Sequence, residues 1–310
     1  MTVSTSARHD WLAFYVLCMG VLMIVLDTTI VNVALPSIKA DLGFSETALA
    51  WVVNAYMLTY GGFLLLAGRL GDLLGHRRVF LLGLAAFTAA SLLCGLATSQ
   101  PVLVAARAAQ GVGGAVVSAV ALSLIMDLFT APADRARAMG IYGFVCAGGG
   151  SVGVLLGGVL TSTLSWHWIF LVNLPIGVLV ALATLRLVPA TRKPFEGRLD
   201  VAGAASVTLA LTLAIYAVVH GNEAGWTSPA TLGVLAAALA LLAGFVTIEA
   251  RIRAPLIPLG LFRHRNLSVA SLIGVLWCAA MFAWFFLSAL YMQQVLGYDP
   301  FHVGLAFLPA

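Results

Sequence analysis

The chain has 310 residues, 62% of them hydrophobic and 9% charged, with a mean hydropathy of +1.04, which excludes a soluble globular domain. A net charge of +4 carried mostly on connectors between apolar runs is no nucleic-acid footprint. Cys18, Cys94, Cys146 and Cys278 lie inside apolar runs without paired spacing, so neither a disulfide framework nor a metal site is expected, and no cofactor either.

A bilayer core of about 30 Å takes roughly 20 apolar residues per helix. Nine such runs can be drawn: Leu12 to Leu35, Leu49 to Ala67, Val79 to Ala97, Val102 to Ile125, Met139 to Leu160, Trp168 to Leu187, Val201 to Val219, Leu232 to Ile248 and Leu267 to Tyr291. A tenth begins at Val303. Long uninterrupted runs predict an all-helical membrane protein, since barrel strands would show short alternating segments. The first run follows Arg8 but is too long for a signal-peptide core, and it is read as a retained helix. Between the second and third runs, Gly68 to Arg78 reads as a short hairpin at a membrane surface. Its glycines permit the turn, and Asp72 is expected to pair with Arg69, Arg77 or Arg78. Thr191 to Arg198, with Pro194, reads as a connector. The expected organisation is therefore a six-helix bundle over 1–190, a connector with two extra helices over 191–266, and the start of a second bundle over 267–310.

Charge placement sets the orientation. Of the 16 Lys and Arg residues, all but Lys39 and Arg107 fall before the first run or at or beyond the end of an even-numbered one. Under the positive-inside rule this predicts a cytoplasmic N-terminus and a cytoplasmic exit for every even-numbered helix, with His220 to Ser228 outside. Trp11, Trp51, Trp166, Trp168 and Trp226 fall near the predicted interfaces and read as anchors.

Two charged residues remain deep inside runs: Asp27 in the first and Arg107 in the fourth. Each costs about 3 kcal/mol at a helix centre, so each needs compensation and marks a functional site by default. If the first helix ends near Pro36 and the fourth starts near Val102, Asp27 lies about 13 Å and Arg107 about 8 Å below the outer ends. That brings them within reach of each other if the helices are neighbours. A guanidinium favours the carboxylate and desolvation favours the neutral acid, so a modest rearrangement can load and release a proton. The alternative is a static pair that fixes helix packing. Asn32, Asn54 and Gln110 are candidate cavity-facing polar groups. In the fifth run, Gly149, Gly153 and Gly157 recur at four-residue steps, with Gly158 beside them, making a face another backbone can approach.

Several stretches resemble a known family. Gly68, Leu70, Asp72, Gly75 and Arg77 resemble the loop between helices 2 and 3 of the major facilitator superfamily, in which the aspartate latches one face of the carrier shut. Leu73 stands where a basic residue is usual, and His76 where arginine is common. Leu26 to Pro36 resembles the helix 1 motif of the fourteen-helix drug/proton antiporter branch. Arg107 to Gly114 resembles its helix 4 motif, whose arginine is tied to proton coupling. The glycines of the fifth run resemble the superfamily's antiporter motif, with Val154 in place of the usual proline. Trp166 to Gly177 and Pro255 to Arg265 resemble further segments of that branch, and two extra spans between the bundles favour it over twelve-helix relatives.

The resemblance implies a major facilitator fold: an N-terminal six-helix bundle, two inserted helices, and the start of a C-terminal bundle that the chain does not complete. This length by itself is then expected not to transport. It further implies a plasma-membrane carrier that exchanges protons for amphipathic small molecules such as drugs or biocides, with Asp27 as a cavity acid and no obligate protein partner beyond the lipid bilayer. Export of another metabolite or an amino acid is the alternative. A membrane-embedded enzyme is disfavoured because the six histidines are scattered and form no ligand or nucleophile cluster. A non-transporting binding protein is the third possibility.

Overall fold

The computed structural model describes residues 5–189, 200–252 and 255–307. The described residues contain helices and connectors, with no strand. In order these are α1 (Thr5–Leu42), α2 (Glu46–Leu74), α3 (His76–Gly95), α4 (Gln100–Leu128), α5 (Pro132–Thr163), α6 (Trp168–Leu171), α7 (Asn173–Leu187), α8 (Val201–Ala224), α9 (Pro229–Glu249), a 3-10 turn (Leu259–Arg263), α10 (Arg265–Gln294) and α11 (Pro300–Ala306). Among these residues, eight spans are long and apolar enough to cross a bilayer, so the chain is a multi-pass membrane protein. The seventh expected run appears as a shorter apolar stretch, Ala202–Val218. The connector at Thr191 to Arg198 and Arg253 lie outside the described residues.

The sequence expectation needs correcting at three places. The first helix does not stop at Pro36 but carries it inside α1 to Leu42, so the depth drawn from Pro36 starts from the wrong end. The sixth run is broken at Val172 into α6 and α7. Pro175 has no N–H to give the carbonyl of Leu171, which loosens the ladder there. The expected hairpin is hardly a loop, because α2 runs through Gly68, Arg69, Gly71 and Asp72 to Leu74 and α3 starts at His76. Gly75 alone makes the turn, at φ 92°, a left-handed value that glycine adopts without penalty. Gly71 serves close packing instead, since a Cβ there would fall 2.7 Å from His76 Cδ2 and 3.2 Å from Val120 Cγ2 on α4.

The chain divides into two compact units, Met1–Phe195 with Leu296–Ala310, and Glu196–Val295. In the first unit α2 and α3 pack on α4, α1 on α5, α7 on α1 and α3, and α11 on α5. Its core gathers Phe14, Leu17, Phe80, Phe87, Val117 and Ile125. In the second unit α8 packs along α9, and α10 against the 3-10 turn. The sequence grouping put 267 onward together, whereas in this division α10 falls with α8 and α9, and α11 with the first unit.

Lipid tails are as apolar as leucine, so close packing decides which helices pair in a bilayer. The glycines of α5 show how. A Cβ on Gly153 would sit 2.1 Å from Thr29 Oγ1 and 3.0 Å from the Leu26 carbonyl, and one on Gly157 would sit 2.7 Å from the Ile30 carbonyl. The expected glycine face is therefore where α1 lies, and α5 runs unbroken past Val154. Gly157→Ala is expected to destabilise the protein by about 1–3 kcal/mol, because the clash is with backbone that cannot rotate away. Gly140→Ala, where a Cβ meets nothing within 4 Å, is the control. Thermal unfolding in detergent compares them, and equal melting temperatures would refute the packing argument.

Residues in the first turn of α5 and in the turn after it also hold helix ends. Arg135 donates to the carbonyls of Phe129 at 3.0 Å and Met126 at 3.3 Å, satisfying acceptors left over at the end of α4. Trp166, expected as an interfacial anchor, is 4% exposed and donates Nε1 to Asp41 Oδ2 at 2.9 Å, tying the α5–α6 turn to the end of α1.

Candidate functional site

Six helices of the first unit converge on a sealed polar cluster. Asp27 on α1 accepts hydrogen bonds from Arg107 Nη1 at 2.6 Å, Gln110 Nε2 at 2.7 Å and Asn173 Nδ2 on α7 at 3.0 Å. Each of these neighbours is a donor, which is the pattern around a carboxylate. Arg107 is gripped from its other side as well. Its Nε donates to the Val52 carbonyl on α2 at 3.0 Å and its Nη1 to Gln110 Oε1 at 2.7 Å. Its guanidinium carbon lies 4.2 Å from the Tyr56 ring centre and 5.5 Å from that of Phe170 on α6. Ser91 on α3 accepts from Gln110 Nε2 at 2.8 Å and donates to the Phe87 carbonyl at 2.8 Å.

Local sequence explains how α4 presents its arginine. Gly111 faces α2, where a Cβ would stand 2.3 Å from the Tyr56 carbonyl, and Gly113 faces α3, where it would stand 2.5 Å from the Phe87 amide. Thr59 Oγ1 adds a bond to the Ala108 carbonyl at 2.7 Å. With both neighbours drawn in at glycine distance, Arg107 reaches a carbonyl on α2 and a carboxylate on α1 at once. Such a charged pair tolerates desolvation only because its remaining hydrogen-bonding positions are largely filled.

Asp27 is 1% exposed and Arg107 0%, so the aspartate is walled in rather than lining an open cavity as expected. A recess of about 190 Å³ between α1 and α7 is lined by Val16, Met19, Ile176, Leu179, Val180 and Ala183; it is wholly apolar and excludes Asp27. Two buried polar atoms at the cluster, Arg107 Nη2 and Tyr56 Oη, have no hydrogen-bond partner. Of the other candidates, Gln110 is inside the cluster at 0% exposure, while Asn32 is buried at 6% and Asn54 is half-buried, and neither bonds to it. Sequence reasoning did not select Asn173, Ser91 or Tyr56. A polar residue in an apolar run was the available signal for the first two.

At the other end of the bundle, Asp72 Oδ2 lies 3.7 Å from Arg69 Nη1 and Asp72 Oδ1 lies 3.1 Å from His76 Nε2. His76 Nδ1 faces Asp127 Oδ2 of α4 at 3.3 Å. Thus His76, which the sequence did not offer as a partner, stands between two carboxylates. Arg77 reaches instead to the Leu185 carbonyl of α7, and Arg78 is exposed. Gly68 has open space where a Cβ would be.

Residues 17–310 match the family model described as Major Facilitator Superfamily. The chain is a member of that superfamily. That superfamily is one of transporters rather than enzymes. Puromycin resistance protein pur8 of Streptomyces alboniger is 41% identical over 300 residues, covering 96% of this chain and 59% of that protein. Cephamycin export protein CmcT of Amycolatopsis lactamdurans is 45% identical over 301 residues, covering 96% and 62%. Multidrug resistance protein Stp of Mycobacterium tuberculosis is 39% identical over 293 residues, covering 94% and 54%. This chain therefore spans less than two thirds of the length of each of these superfamily relatives. Among solved structures, the POT family transporter PepTSo gives a TM-score of 0.56 at 14% identity, covering 76% of this chain and 52% of that one. An auto-inhibited POT family peptide transporter gives 0.53 at 17%, covering 77% and 51%. At these identities the likeness is one of fold.

Proposed function

We propose that this chain is the larger part of a carrier of the fourteen-helix branch that exports amphipathic small molecules, drugs or antibiotics among them, in exchange for protons. The observation that carries the reading is the Asp27–Arg107 pair. A proton on Asp27 removes the counter-ion of a guanidinium that has no water to turn to, so the loaded state is favoured only if the helices around Arg107 rearrange or open. The unused Nη2 of Arg107 and hydroxyl of Tyr56 supply hydrogen-bonding capacity for a second arrangement. Proton binding and helix packing are thereby linked, as antiport requires. The names of the superfamily relatives, two for resistance and one for export, support the outward direction and the substrate class.

The remaining assignments follow. Asp72 with Gly75 and Arg77 acts as the conformational latch between α2 and α3, and Gly149, Gly153 and Gly157 keep α1 and α5 in register through the transition. Asn32 and Asn54 become accessible to substrate when α1 and α2 shift. The test is efflux of a dye panel from intact cells carrying a full-length protein that contains this segment. Collapsing the proton gradient with an ionophore is expected to stop it, and efflux that continues undiminished would dismiss the coupling.

In the plasma membrane the N-terminus is cytoplasmic, from the partition of basic residues. Single cysteines replacing Ala133 and Thr227, both exposed, are introduced into a cysteine-free background and probed on intact cells with an impermeant thiol reagent. Labelling at Thr227 with protection at Ala133 is expected, and the reverse would overturn the orientation.

A further inference from the structure

The second unit holds a buried acidic pair that the proposed export mechanism does not use. Asp200 is 2% exposed and Glu249 3%, one preceding α8 and the other closing α9. Each has one oxygen satisfied by a backbone amide: Asp200 Oδ1 accepts from Gly203 N at 2.8 Å, and Glu249 Oε2 from Ile257 N at 2.8 Å. The other two oxygens, Asp200 Oδ2 and Glu249 Oε1, are closed to solvent and have no partner while both groups are carboxylates. They point at one place, since both lie within 2.8 Å of the spot a Cβ on Gly203 would occupy, and the two side chains are within hydrogen-bonding reach of each other.

We infer that Asp200 and Glu249 bind one proton between Asp200 Oδ2 and Glu249 Oε1, a second protonatable site distinct in sequence and partners from Asp27. Two adjacent carboxylates removed from water cannot both stay ionised, whereas one proton turns a repulsion into a charge-assisted hydrogen bond and satisfies both orphaned oxygens. The helix ends assign the donor. Asp200 caps the N-terminus of α8, where backbone N–H groups favour negative charge, while Glu249 ends α9, where carbonyls disfavour it. The proton, taken from solvent, therefore resides on Glu249 Oε1 and is donated to Asp200 Oδ2. Among the described residues of α8, α9 and the strap to Leu259, the arginine near the pair is Arg251, two residues past Glu249, and it is exposed. The bound proton locks the start of α8 to the end of α9 and, through Ile257 N, to the strap that follows. Its loss frees that corner.

The test is infrared titration of the purified chain in an Asp27→Asn background, so that a failure of the Asp27 reading leaves the result unaffected. From about pH 6 upward, where ordinary carboxyls are already ionised, one carboxylic C=O band is expected to disappear with rising pH, and it is expected to be missing in both Glu249→Gln and Asp200→Asn. A folded pair that keeps a proton the unfolded chain gives up is stabilising at low pH and loses that stability as pH rises through its titration. The melting temperature of the parent is therefore expected to fall by about 2–4 °C per pH unit in that range. Glu249→Gln, whose amide donates without titrating, should stay flat. If Glu249→Gln does not fold, the parent titration and Asp200→Asn decide. Absence of any titrating carboxylic band in the parent, or its persistence in both variants, overturns the proposal. So does a band that appears only when sodium is replaced by choline at constant pH, which would mark a cation site.

Discussion

Asp27→Asn is expected to abolish uphill efflux by a full-length carrier containing this segment, while an uncharged substrate still binds. Asparagine keeps the shape and can accept from Gln110 and Asn173, so the junction of α1 with α4 and α7 survives. What it removes is titration, together with the counter-ion of an arginine that is 0% exposed. The Val52 carbonyl, Gln110 Oε1 and the Tyr56 ring at 4.2 Å offset part of that loss, the ring by about 1–2 kcal/mol when desolvated. The variant is therefore expected to fold and to be fixed in its coupling. Efflux against a gradient and substrate-induced proton release are the measurements. Uphill transport at the parent rate would return the pair to a static packing role.

The largest loss of stability is expected from Arg107→Ala, at about 3–5 kcal/mol, the range for removing one partner of a buried ion pair. Alanine leaves the Asp27 carboxylate with Gln110 and Asn173 as its donors, empties the space beneath Tyr56 and frees the Val52 carbonyl. The contribution of charge is separable from that of the cavity. Combining Arg107→Ala with Asp27→Asn removes the orphaned charge, so the double variant is expected to be more stable than the sum of the single losses predicts, by about 1 kcal/mol or more. Thermal or denaturant unfolding of the four proteins in detergent gives the coupling, and strict additivity would show that the pair contributes packing alone.

Much of this was legible residue by residue. Asp27 and Arg107 stood out because a charge in a lipid-depth run is costly wherever it lies, and cost is a local property. The spans were legible for the same reason, since hydropathy sums along the chain. The reading failed at Gly68 to Leu74, where charge and glycine imitated a loop. The helix continues to Leu74, with Arg69 and Asp72 at the three-residue spacing that a helix brings together. It failed again at Pro36, whose missing donor α1 accommodates.

The sequence by itself determined the class, the number of long spans to within one of those among the described residues, the charged pair inside the runs and the glycine face of α5, because burial cost and residue volume act at each position independently. Only the tertiary structure decided that Asn173, Ser91 and Tyr56 complete the cluster around Asp27, that His76 joins Arg69 beside Asp72 and also faces Asp127, and that Asp200 meets Glu249. In a bilayer no difference in hydrophobicity selects one helix neighbour over another. Selection falls to shape and to hydrogen bonds between residues tens of positions apart, and those exist only once the backbones have met.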